Sequence, residues 1–436
     1  MSRPRPRTLK GFQDYLPDRM IPRSRYISKV RRVFENYGFV PLETPALELS
    51  ELLLHRGGDE VAKQVFRFED AGGRDVCMRY DFTVPLARVV AQYPRELPRP
   101  FKRYQIGPVW RGEKPQKGRF REFYQCDADV VGTDSLMADA ECLRLGVDLM
   151  GAMGVEPFRI RVNHRGILDA LAARLDVKGE LAGAVLRAID KLDKIGVDAV
   201  IGEVAKVSAR AEDVRDYLSI AVGPPMERMG ALARFLGEGG RSPLEELEEV
   251  VALALEQGVS LDSLEVDGTV ARGMGYYTGT IFETRAERMP ELGSVMSGGR
   301  YDGLVGTFSK ENVSGVGISL GLDRTIDGLF ARDDGPKTLS TAQVLVTLFD
   351  ADSRRAAFDA AARLREAGIP VEVPYEVVAL KKQIRSAHRR GIPHIMVQGP
   401  DERERGTWKL KELESGIERE LSWEALLAAL ESWKEH

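Results

Sequence analysis

The sequence has few cysteines and no long apolar run, and these two absences restrict its class. Its 436 residues include three cysteines, Cys77, Cys126 and Cys142, without the Cys-x-x-Cys spacing typical of zinc and redox sites. An odd number of widely spaced thiols suggests neither a disulfide framework nor a metal site, and it favours a reducing, cytoplasmic compartment. No stretch of eighteen apolar residues occurs, so no membrane-spanning helix is predicted. The basic N-terminus lacks the apolar segment of a secretory signal.

An excess of charge of either sign is also missing. Lysine and arginine together number 63, aspartate and glutamate 67, and the formal net charge is -4. No global field therefore draws the chain to nucleic acid or to a membrane, and any polyanionic partner must be met by local basic patches. Hydrophobic residues at 43% and charged residues at 30% are typical of a globular protein. The length suits roughly two or three domains.

The densest basic patch lies between residues 111 and 129. It has five cations within eleven residues, namely Arg111, Lys114, Lys117, Arg119 and Arg121. A loop with proline and glycine, PQKG, separates them and the alternating sequence FREFYQCDADV follows, so the pattern predicts a β-hairpin whose second strand enters the core. Arginines held on a sheet beside an aromatic ring are suited to bind a polyphosphate and stack a base. A solvated basic hairpin is the alternative that composition leaves open.

Before this patch, the pattern predicts helices alternating with strands. A helix is expected over residues 18–37, followed by the extended, proline-containing sequence FVPLETPALE. Two strands joined by a turn at 71–74 lead to a helix that begins near Thr83. Asp81 and Thr83 would then lie at a strand-to-helix corner, where a plain helix cap is the alternative role for Thr83.

After the patch, glycine-rich segments that carry arginine or tyrosine recur in sheet-like sequence. Arg272 precedes two glycines and is followed by Tyr276 and Tyr277, which would point to opposite faces of an extended strand. The sequence MSGGRYDGLVG contains Tyr301, and SGVGISLGLDRT predicts a strand leading into a helix with Arg324 near its start. Small residues on a strand leave room for a flat ligand or for close helix packing.

Two further regions differ in composition from this sheet. Residues 166–258 are rich in Ala, Leu, Glu and Lys and predict a separate helical insertion. After a polar linker at 331–340, residues 341–436 have a βαβαβ pattern, which predicts a small α/β domain with part of its sheet parallel. One helix of this domain has a stripe of cations at i, i+4 and i+8, namely Lys381, Arg385 and Arg389. Such a stripe suits a phosphate backbone, and a solvated helix face is the alternative.

With these motifs, the chain resembles the histidyl-tRNA synthetases, which are class II aminoacyl-tRNA synthetases, over nearly its full length. The basic hairpin resembles the second motif of the class, and SGVGISLGLDRT resembles the third. ARGMGYYTGTIFE and GGRYDGL are similar to two segments peculiar to the histidine enzymes. The first helix with FVPLETPALE resembles the first motif, which forms the dimer interface in this class. The resemblance therefore implies a homodimer.

The resemblance also implies a fold of the α+β class. Residues 1–330 would form the class II catalytic core around an antiparallel sheet of six or seven strands, interrupted by the helical insertion at about 166–258. Residues 331–340 would be a linker, and residues 341–436 a C-terminal α/β anticodon-binding domain.

The implied reaction has two steps. L-Histidine and ATP would give histidyl-adenylate and pyrophosphate, and the histidyl group would then pass to the 3′ end of its tRNA. By resemblance, Arg111 would bridge the histidine carboxylate and the α-phosphate, and Arg272 would contact the α-phosphate from the other side as the second catalytic arginine. ATP, with Mg²⁺ on its β- and γ-phosphates, would be bound by Arg111, Glu113, Arg119, Arg121, Phe123 and Arg324.

The same resemblance implies the contacts of the other two substrates. Histidine would be bound by Asp81, Thr83, Arg111, Gln125, Asp129, Arg272, Tyr276, Tyr277 and Tyr301. In this set, Asp81, Thr83 and Gln125 would receive the ammonium group, whereas Asp129, Tyr277 and Tyr301 would address the imidazole. The tRNA would contact Lys381, Arg385 and Arg389.

The chain departs from the pattern of the family at two positions. Gly275 replaces the acidic residue in the usual RGLDYY, and Asp81 stands where many relatives have glutamate. The main alternative is a regulatory paralogue, which binds histidine and controls ATP phosphoribosyltransferase, the first enzyme of histidine synthesis. Such paralogues lack the C-terminal domain and parts of the arginine set, which this chain keeps. An RNA-binding protein that uses the fold without chemistry is a third hypothesis.

Overall fold

The structure is a computed structural model that describes residues 3, 5–55, 62, 64–114, 119–223, 225–271, 276–331 and 338–432. The chain divides into two compact units, Met1–Gln13 with Tyr26–Arg332 and Asp14–Arg25 with Asp333–His436. Most of the linker expected at 331–340 lies outside the described residues. In the part of the chain that is described, no helix is long and apolar enough to cross a membrane.

The larger unit is built from short and long strands that form two sheets. In chain order, its described strands are β1 (Val40–Pro41), β2 (Leu47–Leu49), β3 (Arg67–Glu69), β4 (Asp75–Met78), β5 (Phe101–Trp110), β6 (Glu122–Val131), β7 (Phe158–His164), β8 (Val222–Gly223), β9 (Leu264–Asp267), β10 (Thr280–Ala286), β11 (Ser294–Tyr301) and β12 (Gly315–Gly321).

The large sheet has an antiparallel centre and mixed edges. Its order over the described residues is β1-β5-β6-β12-β11-β10-β7-β9-β8. In this order, the six central strands from β5 to β7 pair antiparallel with one another, in agreement with the expected antiparallel sheet. β1 and β9 add parallel pairs at the two edges, and β8 pairs antiparallel with β9. The sheet therefore has nine described strands rather than six or seven, because short edge strands leave little periodic pattern in a sequence.

The smaller sheet of this unit has the order β2-β4-β3 and contains the turn predicted at 71–74. Asp70 closes this turn, because its Oδ1 accepts hydrogen bonds from the backbone N–H groups of Gly72 at 2.8 Å and Arg74 at 2.9 Å. Gly73 has a φ of 75°, which glycine adopts without strain. β4 then leads to the corner that carries Asp81.

The helices that precede Asp333 in the chain agree with the predicted pattern, and all but the first, which the two units share, belong to the larger unit. They are α1 (Pro17–Asn36), α2 (Ser50–Leu54), α3 (Thr83–Gln92), α4 (Met137–Met153), α5 (Arg165–Arg174), α6 (Glu180–Ile189), α7 (Leu192–Ile195), α8 (Val197–Val204), α9 (Glu212–Ile220), α10 (Pro225–Leu236), α11 (Glu238–Glu256) and α12 (Leu322–Phe330). Within the insertion, the glycine-rich segment GEGGRSP (237–243) separates α10 from α11 by one residue, Gly237. The other residues of the segment form the start of α11.

The large sheet has one apolar face and one polar face. Val316, Ile318 and Leu320 of β12 belong to the main hydrophobic core. α4 packs closely against this face, since a Cβ at Gly146 would lie 2.8 Å from the Cε atom of Met296. Because side chains alternate along a strand, the residues between the core positions face the opposite side of the sheet. That polar side carries the candidate site.

The C-terminal unit has the predicted α/β organisation. Its elements are β13 (Val344–Val346), α13 (Ser353–Glu366), β14 (Val371–Glu372), α14 (Leu380–Arg389), β15 (His394–Val397), α15 (Pro400–Arg405), β16 (Trp408–Glu412), β17 (Glu418–Leu421) and α16 (Trp423–Glu431). The sheet order is β14-β13-β15-β16-β17. β13 pairs parallel with β14 and β15, whereas the pairs that involve β16 are antiparallel, so the predicted βαβαβ pattern is confirmed.

Candidate active site

A cavity of about 340 Å³ lies on the polar face of the large sheet. Its walls come from the β5–β6 hairpin, from β10, β11 and β12, and from the corner before α3. Residues predicted from the sequence that line it are Asp81, Thr83, Arg111, Glu113, Arg119, Phe123, Gln125, Tyr276, Tyr277 and Arg324. The fold thus brings together groups that are as far as 243 positions apart in the chain, from Asp81 to Arg324.

The floor of the cavity is the pair of strands β6 and β12. Register partners across these strands are Gln125 with Gly321, Asp127 with Ser319, and Asp129 with Gly317. A side chain at position 317 would place its Cβ 2.1 Å from Oδ1 of Asp129. Only glycine at this position therefore leaves room for the Asp129 carboxylate. The glycines of SGVGISLGLDRT therefore serve the polar face at this point rather than the helix packing on the other face.

Three acceptor groups of the cavity wall are buried and retain a free oxygen. Asp81 and Asp127 are each 3% exposed and Gln125 is 8% exposed. Among the described residues, Oδ2 of Asp81, Oδ1 of Asp127 and Oε1 of Gln125 have no hydrogen-bond partner. Unpaired buried acceptors are costly in a folded protein, so this arrangement indicates that a ligand supplies the missing donors.

The other atoms of these groups hold them in place. Oδ1 of Asp81 accepts a hydrogen bond from the backbone N–H of Val84 at 3.2 Å, and the amide of Gln125 donates to Oγ of Ser319 at 2.6 Å. Thr83 is the first residue of α3, whose N-cap is Phe82. Asp81 therefore serves the helix start, whereas the side chain of Thr83 is on the cavity wall and is not a cap.

Burial makes both aspartates unusually weak acids. It raises the pKa of Asp81 to about 6, against the opposing effect of the Arg111 charge. It raises the pKa of Asp127 to about 7, against the opposing effect of the Arg103 charge. The cause is the loss of water around a charged carboxylate, which a bound cation would compensate.

Asp129 and Tyr301 lie behind this wall and are not among the residues that line the cavity. The hydroxyl of Tyr301 donates a hydrogen bond of 2.6 Å to Oδ1 of Asp129. Oδ2 of Asp129 forms an ion pair of 2.7 Å with Arg103, which is fully buried. The two residues thus support the floor in this structure, and their contact with an imidazole remains a prediction.

The arginines of the cavity are held by backbone carbonyl groups. Nε of Arg111 donates to the carbonyl oxygen of Tyr80 at 3.0 Å, and its guanidinium carbon lies 5.2 Å from the ring centroid of Phe123. Nη1 of Arg324 donates to the carbonyl oxygen of Ser294 at 2.6 Å. These contacts fix the side chains on the cavity wall, where a fork-shaped cation is suited to a phosphate or a carboxylate.

Two other hairpin arginines differ in position. Nη1 of Arg119 lies 4.0 Å from Oε2 of Glu113, and the Arg119 side chain is 42% exposed. Arg121 does not line the cavity. The Nε of Arg121 donates to the carbonyl oxygen of Glu113 at 3.1 Å, so Arg121 supports Glu113, which does line the cavity. Residues 115–118 of the hairpin loop, with Lys117, lie outside the described residues.

The tyrosine pair is arranged differently from the extended strand assumed in the sequence analysis. Tyr276 and Tyr277 both line the cavity, and their ring centroids are 5.0 Å apart. Opposite faces were expected only for an extended strand, and β10 begins only at Thr280, so the alternation of a strand does not apply to the pair. Arg272, the second arginine expected to be catalytic, lies outside the described residues together with Gly275.

Three acidic residues of the cavity were missed in the sequence analysis, namely Asp127, Glu283 and Asp323. Asp127 lies two positions from Gln125 and from Asp129, so period-two alternation could have placed it on the same face. Glu283 of β10 lines the cavity and accepts hydrogen bonds from Arg161 at 2.7 Å and Arg285 at 3.0 Å. Glu283 is the last residue of ARGMGYYTGTIFE, but the motif implied no role for it, and its partner Arg161 lies 122 positions earlier in the chain.

The cationic stripe of the C-terminal unit is on the surface. Lys381, Arg385 and Arg389 are exposed on α14. The opposite side of this helix is anchored by Gln383, whose side chain bonds to both backbone groups of Leu348 at 3.0 and 2.8 Å. The stripe is therefore available to a polyanion, as a phosphate-binding face requires.

An antiparallel sheet with an arginine-bearing hairpin, next in sequence to a separate α/β domain, defines the class II aminoacyl-tRNA synthetase fold. The family model described as histidyl-tRNA synthetase matches residues 11–325, and the model described as anticodon binding domain matches residues 343–433. The chain belongs to the histidyl-tRNA synthetase family.

Individual relatives agree with this assignment. The histidine--tRNA ligase of Rhodopirellula baltica is 41% identical over 437 residues, which cover 98% of this chain and 99% of the relative. The crystal structure of histidyl-tRNA synthetase from Nostoc sp. PCC 7120 is similar with a TM-score of 0.89 and 32% identity, over 99% of this chain and 100% of that one. A structure from Bacillus halodurans C, described as an ATP phosphoribosyltransferase regulatory subunit/histidyl-tRNA synthetase, shares the fold with a TM-score of 0.74 and 21% identity, over 87% of this chain and 96% of that one.

Proposed function

We propose that this protein activates L-histidine with ATP and transfers the histidyl group to the 3′ end of its tRNA, the reaction of a histidine--tRNA ligase. The observation that carries the proposal is one cavity whose wall combines buried, unpaired acceptors with arginines, in a chain of the histidyl-tRNA synthetase family. The acceptors suit an amino acid's ammonium group, and the arginines suit a polyphosphate.

In the first step, a carboxylate oxygen of histidine attacks the α-phosphorus of ATP. A phosphorus–oxygen bond to the carboxylate forms, the bond from the α-phosphorus to the bridging oxygen breaks, and pyrophosphate leaves with its electron pair. The attacking carboxylate carries no proton to be removed. Catalysis therefore depends on in-line positioning and on stabilisation of the charge that develops at phosphorus.

Arg111 is the residue we assign to that charge. Its guanidinium lowers the pKa of Asp81 through its charge, and it packs against Phe123. It thus lies between the proposed ammonium site and the proposed adenine site, where a carboxylate and an α-phosphate would meet. Arg272 would act from the other side, as the resemblance implies.

The ATP site is assigned to the hairpin and to the start of α12. Phe123 would stack the adenine, and Glu113, Arg119, Arg121 and Arg324 would hold the base and the phosphates. ATP would enter with Mg²⁺ on its β- and γ-phosphates. Within the described residues, no group of three histidine, cysteine, aspartate or glutamate side chains forms a metal site, so we expect the phosphates themselves to carry this ion.

Histidine selection is assigned to the sheet floor. Asp81, Thr83 and Gln125 would receive the ammonium group, while Tyr277, supported by Asp129 and Tyr301, would address the imidazole with Tyr276 alongside. A buried site that hydrogen-bonds its substrate rejects analogues without the partner group by roughly 10⁴ to 10⁵. Histidine could thus be selected without an editing reaction.

The wider assignments complete the proposal. Residues 1–330 would be the catalytic core with its insertion at about 166–258, residues 331–340 a linker, and residues 341–436 the anticodon-binding domain. Lys381, Arg385 and Arg389 would contact tRNA. The protein would act as a homodimer in the cytoplasm.

Histidine-dependent exchange of pyrophosphate into ATP tests this function without tRNA. We expect exchange with L-histidine and none without an amino acid. A purified protein that binds histidine but shows no histidine-dependent exchange would support the regulatory paralogue and contradict the ligase.

A further inference from the structure

We propose that Asp127 is a further binding residue for the substrate's ammonium group, acting beside Asp81, Thr83 and Gln125. This inference rests on the proposed function, because the amino acid supplies the cation. Nothing in the motifs of the sequence singles out Asp127, and its assignment comes from its position and its partners in the fold.

The position of Asp127 on β6 directs it to the cavity. It lies between Gln125 and Asp129 on the polar face, opposite Ser319 of β12 and Gln105 of β5. Unlike Asp129, it is one of the residues that line the cavity. It is 3% exposed, so its carboxylate is almost completely removed from bulk water.

One oxygen of Asp127 is left for a ligand. Ser319, the register partner of Asp127 on β12, accepts a hydrogen bond from the amide of Gln125 at 2.6 Å. Oδ1 of Asp127 has no hydrogen-bond partner among the described residues, and the same is true of Oδ2 of Asp81 and Oε1 of Gln125. Three free acceptors match the three N–H donors of an ammonium group.

The charges around Asp127 also favour a cation. Asp81, Asp127 and Asp129 are buried in this region, and Arg103 is a fully buried cation beside them. Arg103 is already paired with Asp129 at 2.7 Å. The charge of Arg103 also acts on Asp127, so one buried cation faces several buried carboxylates, and buried negative charge in excess of its cations is strongly disfavoured. An ammonium group bound between Asp81 and Asp127 would supply the compensation.

Calorimetric titration of three ligands separates this role from others. The ligands are L-histidine, histidinol, which keeps the ammonium and imidazole groups, and 3-(imidazol-4-yl)propionate, which lacks the ammonium group. Asp127→Asn should weaken histidine and histidinol by about 10- to 100-fold, the range expected when a hydrogen bond to a charged group is lost. It should leave the affinity for the propionate unchanged or increased.

Equal weakening of all three ligands would overturn the proposal, because it would indicate an imidazole contact or a structural role. An unchanged affinity for histidine would overturn it as well. Asp127→Glu keeps the charge and should retain more histidine affinity than Asp127→Asn, with both variants compared for thermal stability. Asp134→Asn, which alters an exposed carboxylate nearby, is the matched control.

Ligand binding and pyrophosphate exchange, measured on the wild-type protein beside the variant, distinguish failure of this inference from failure of the proposed function. If the wild-type protein shows histidine-dependent exchange of pyrophosphate while Asp127→Asn binds every ligand as the wild type does, the inference alone fails. If the wild type neither binds histidine nor exchanges pyrophosphate, the proposed function fails and the inference fails with it.

Discussion

The carboxylates and the arginines of the cavity differ in how much water they retain. Asp81 and Asp127 are each 3% exposed, whereas the side chain of Arg119 is 42% exposed and Arg111 is half-buried. Buried acceptors can discriminate between ligands because an unmatched donor or acceptor is costly there. Solvated arginines impose a smaller penalty on the free protein and act when a polyanion excludes water around them. This difference indicates that the buried carboxylates support substrate selectivity, whereas the more solvated arginines support catalysis.

The largest effect is expected on protein stability when Arg103, the buried cation paired with Asp129, is removed. Arg103→Leu leaves Asp129 buried without its ion-pair partner, and we expect the free energy of unfolding to fall by about 3 to 5 kcal/mol. Urea denaturation at pH 8 measures it. The control is Arg99→Leu, which breaks an exposed ion pair with Glu311 and should lose at most about 1 kcal/mol. Similar losses for both variants would remove the distinction between buried and solvated charge.

Removing an arginine from the cavity wall should affect chemistry more than binding or stability. We expect Arg111→Ala to lower the kcat of pyrophosphate exchange by about 100- to 1000-fold, as for loss of a donor to transition-state charge. The dissociation constant of histidine, measured by calorimetry, should change less. Arg111→Lys keeps the charge without the planar fork and should be intermediate. Equal losses in binding and in kcat would contradict a role specific to the transition state.

The exposed cations of the C-terminal unit extend the comparison to a surface without a cavity. Replacing Lys381, Arg385 and Arg389 by glutamine should raise the KM for tRNA by roughly tenfold or more and flatten its salt dependence, since fewer phosphates are neutralised. Pyrophosphate exchange should be unchanged. Arg354→Gln with Arg355→Gln on α13 is the matched control. If charging of tRNA is unaffected in the triple variant, the stripe is a solvated helix face.

The smallest effect concerns the stability of the ligand-free protein against pH. The pKa of Asp127 is raised by burial to about 7, in an environment of Arg103, Asp129, Ser319 and Asp81. The folded state thus binds this proton more tightly than the unfolded state, so its stabilising effect is fully present below the ordinary aspartate pKa of about 4 and is lost as pH rises from there through about 7. The raised pKa of Asp81 acts in the same direction.

Asp127→Asn should therefore lose less stability between pH 6 and pH 8 than the wild type. At pH 8 the free energy of unfolding of Asp127→Asn should exceed that of the wild type by roughly 1 to 2 kcal/mol. Gains of this size are typical when an unfavourable group is removed from a functional site. Thermal unfolding at both pH values measures this difference, with Asp134→Asn as the control. An identical pH dependence in Asp127→Asn and the wild type would show that Asp127 is charged without penalty.

Local pattern was sufficient for the elements that carry the site. The antiparallel pairing of β5 with β6, the turn before β4 and the start of α3 at Thr83 were predicted, because each follows from alternation or from turn residues close in sequence. The geometry of Tyr276 and Tyr277 was not, since the strand begins three residues after Tyr277. The role of Glu283 was hidden because Arg161, its partner on the neighbouring strand β7, lies 122 positions earlier in the chain.

The sequence by itself determined the class of the fold, the arginine-bearing hairpin and the resemblance to a family, because these depend on local spacing and on motif residues. Only the tertiary structure decided which acids of β6 face the cavity. Asp127 and Asp129 share a strand face, but Arg103 and Tyr301 engage Asp129 from behind, whereas Asp127 retains a free oxygen on the cavity wall. The physical reason is that burial and pairing are properties of neighbours brought together by the fold, and the spacing of residues in one strand does not specify them.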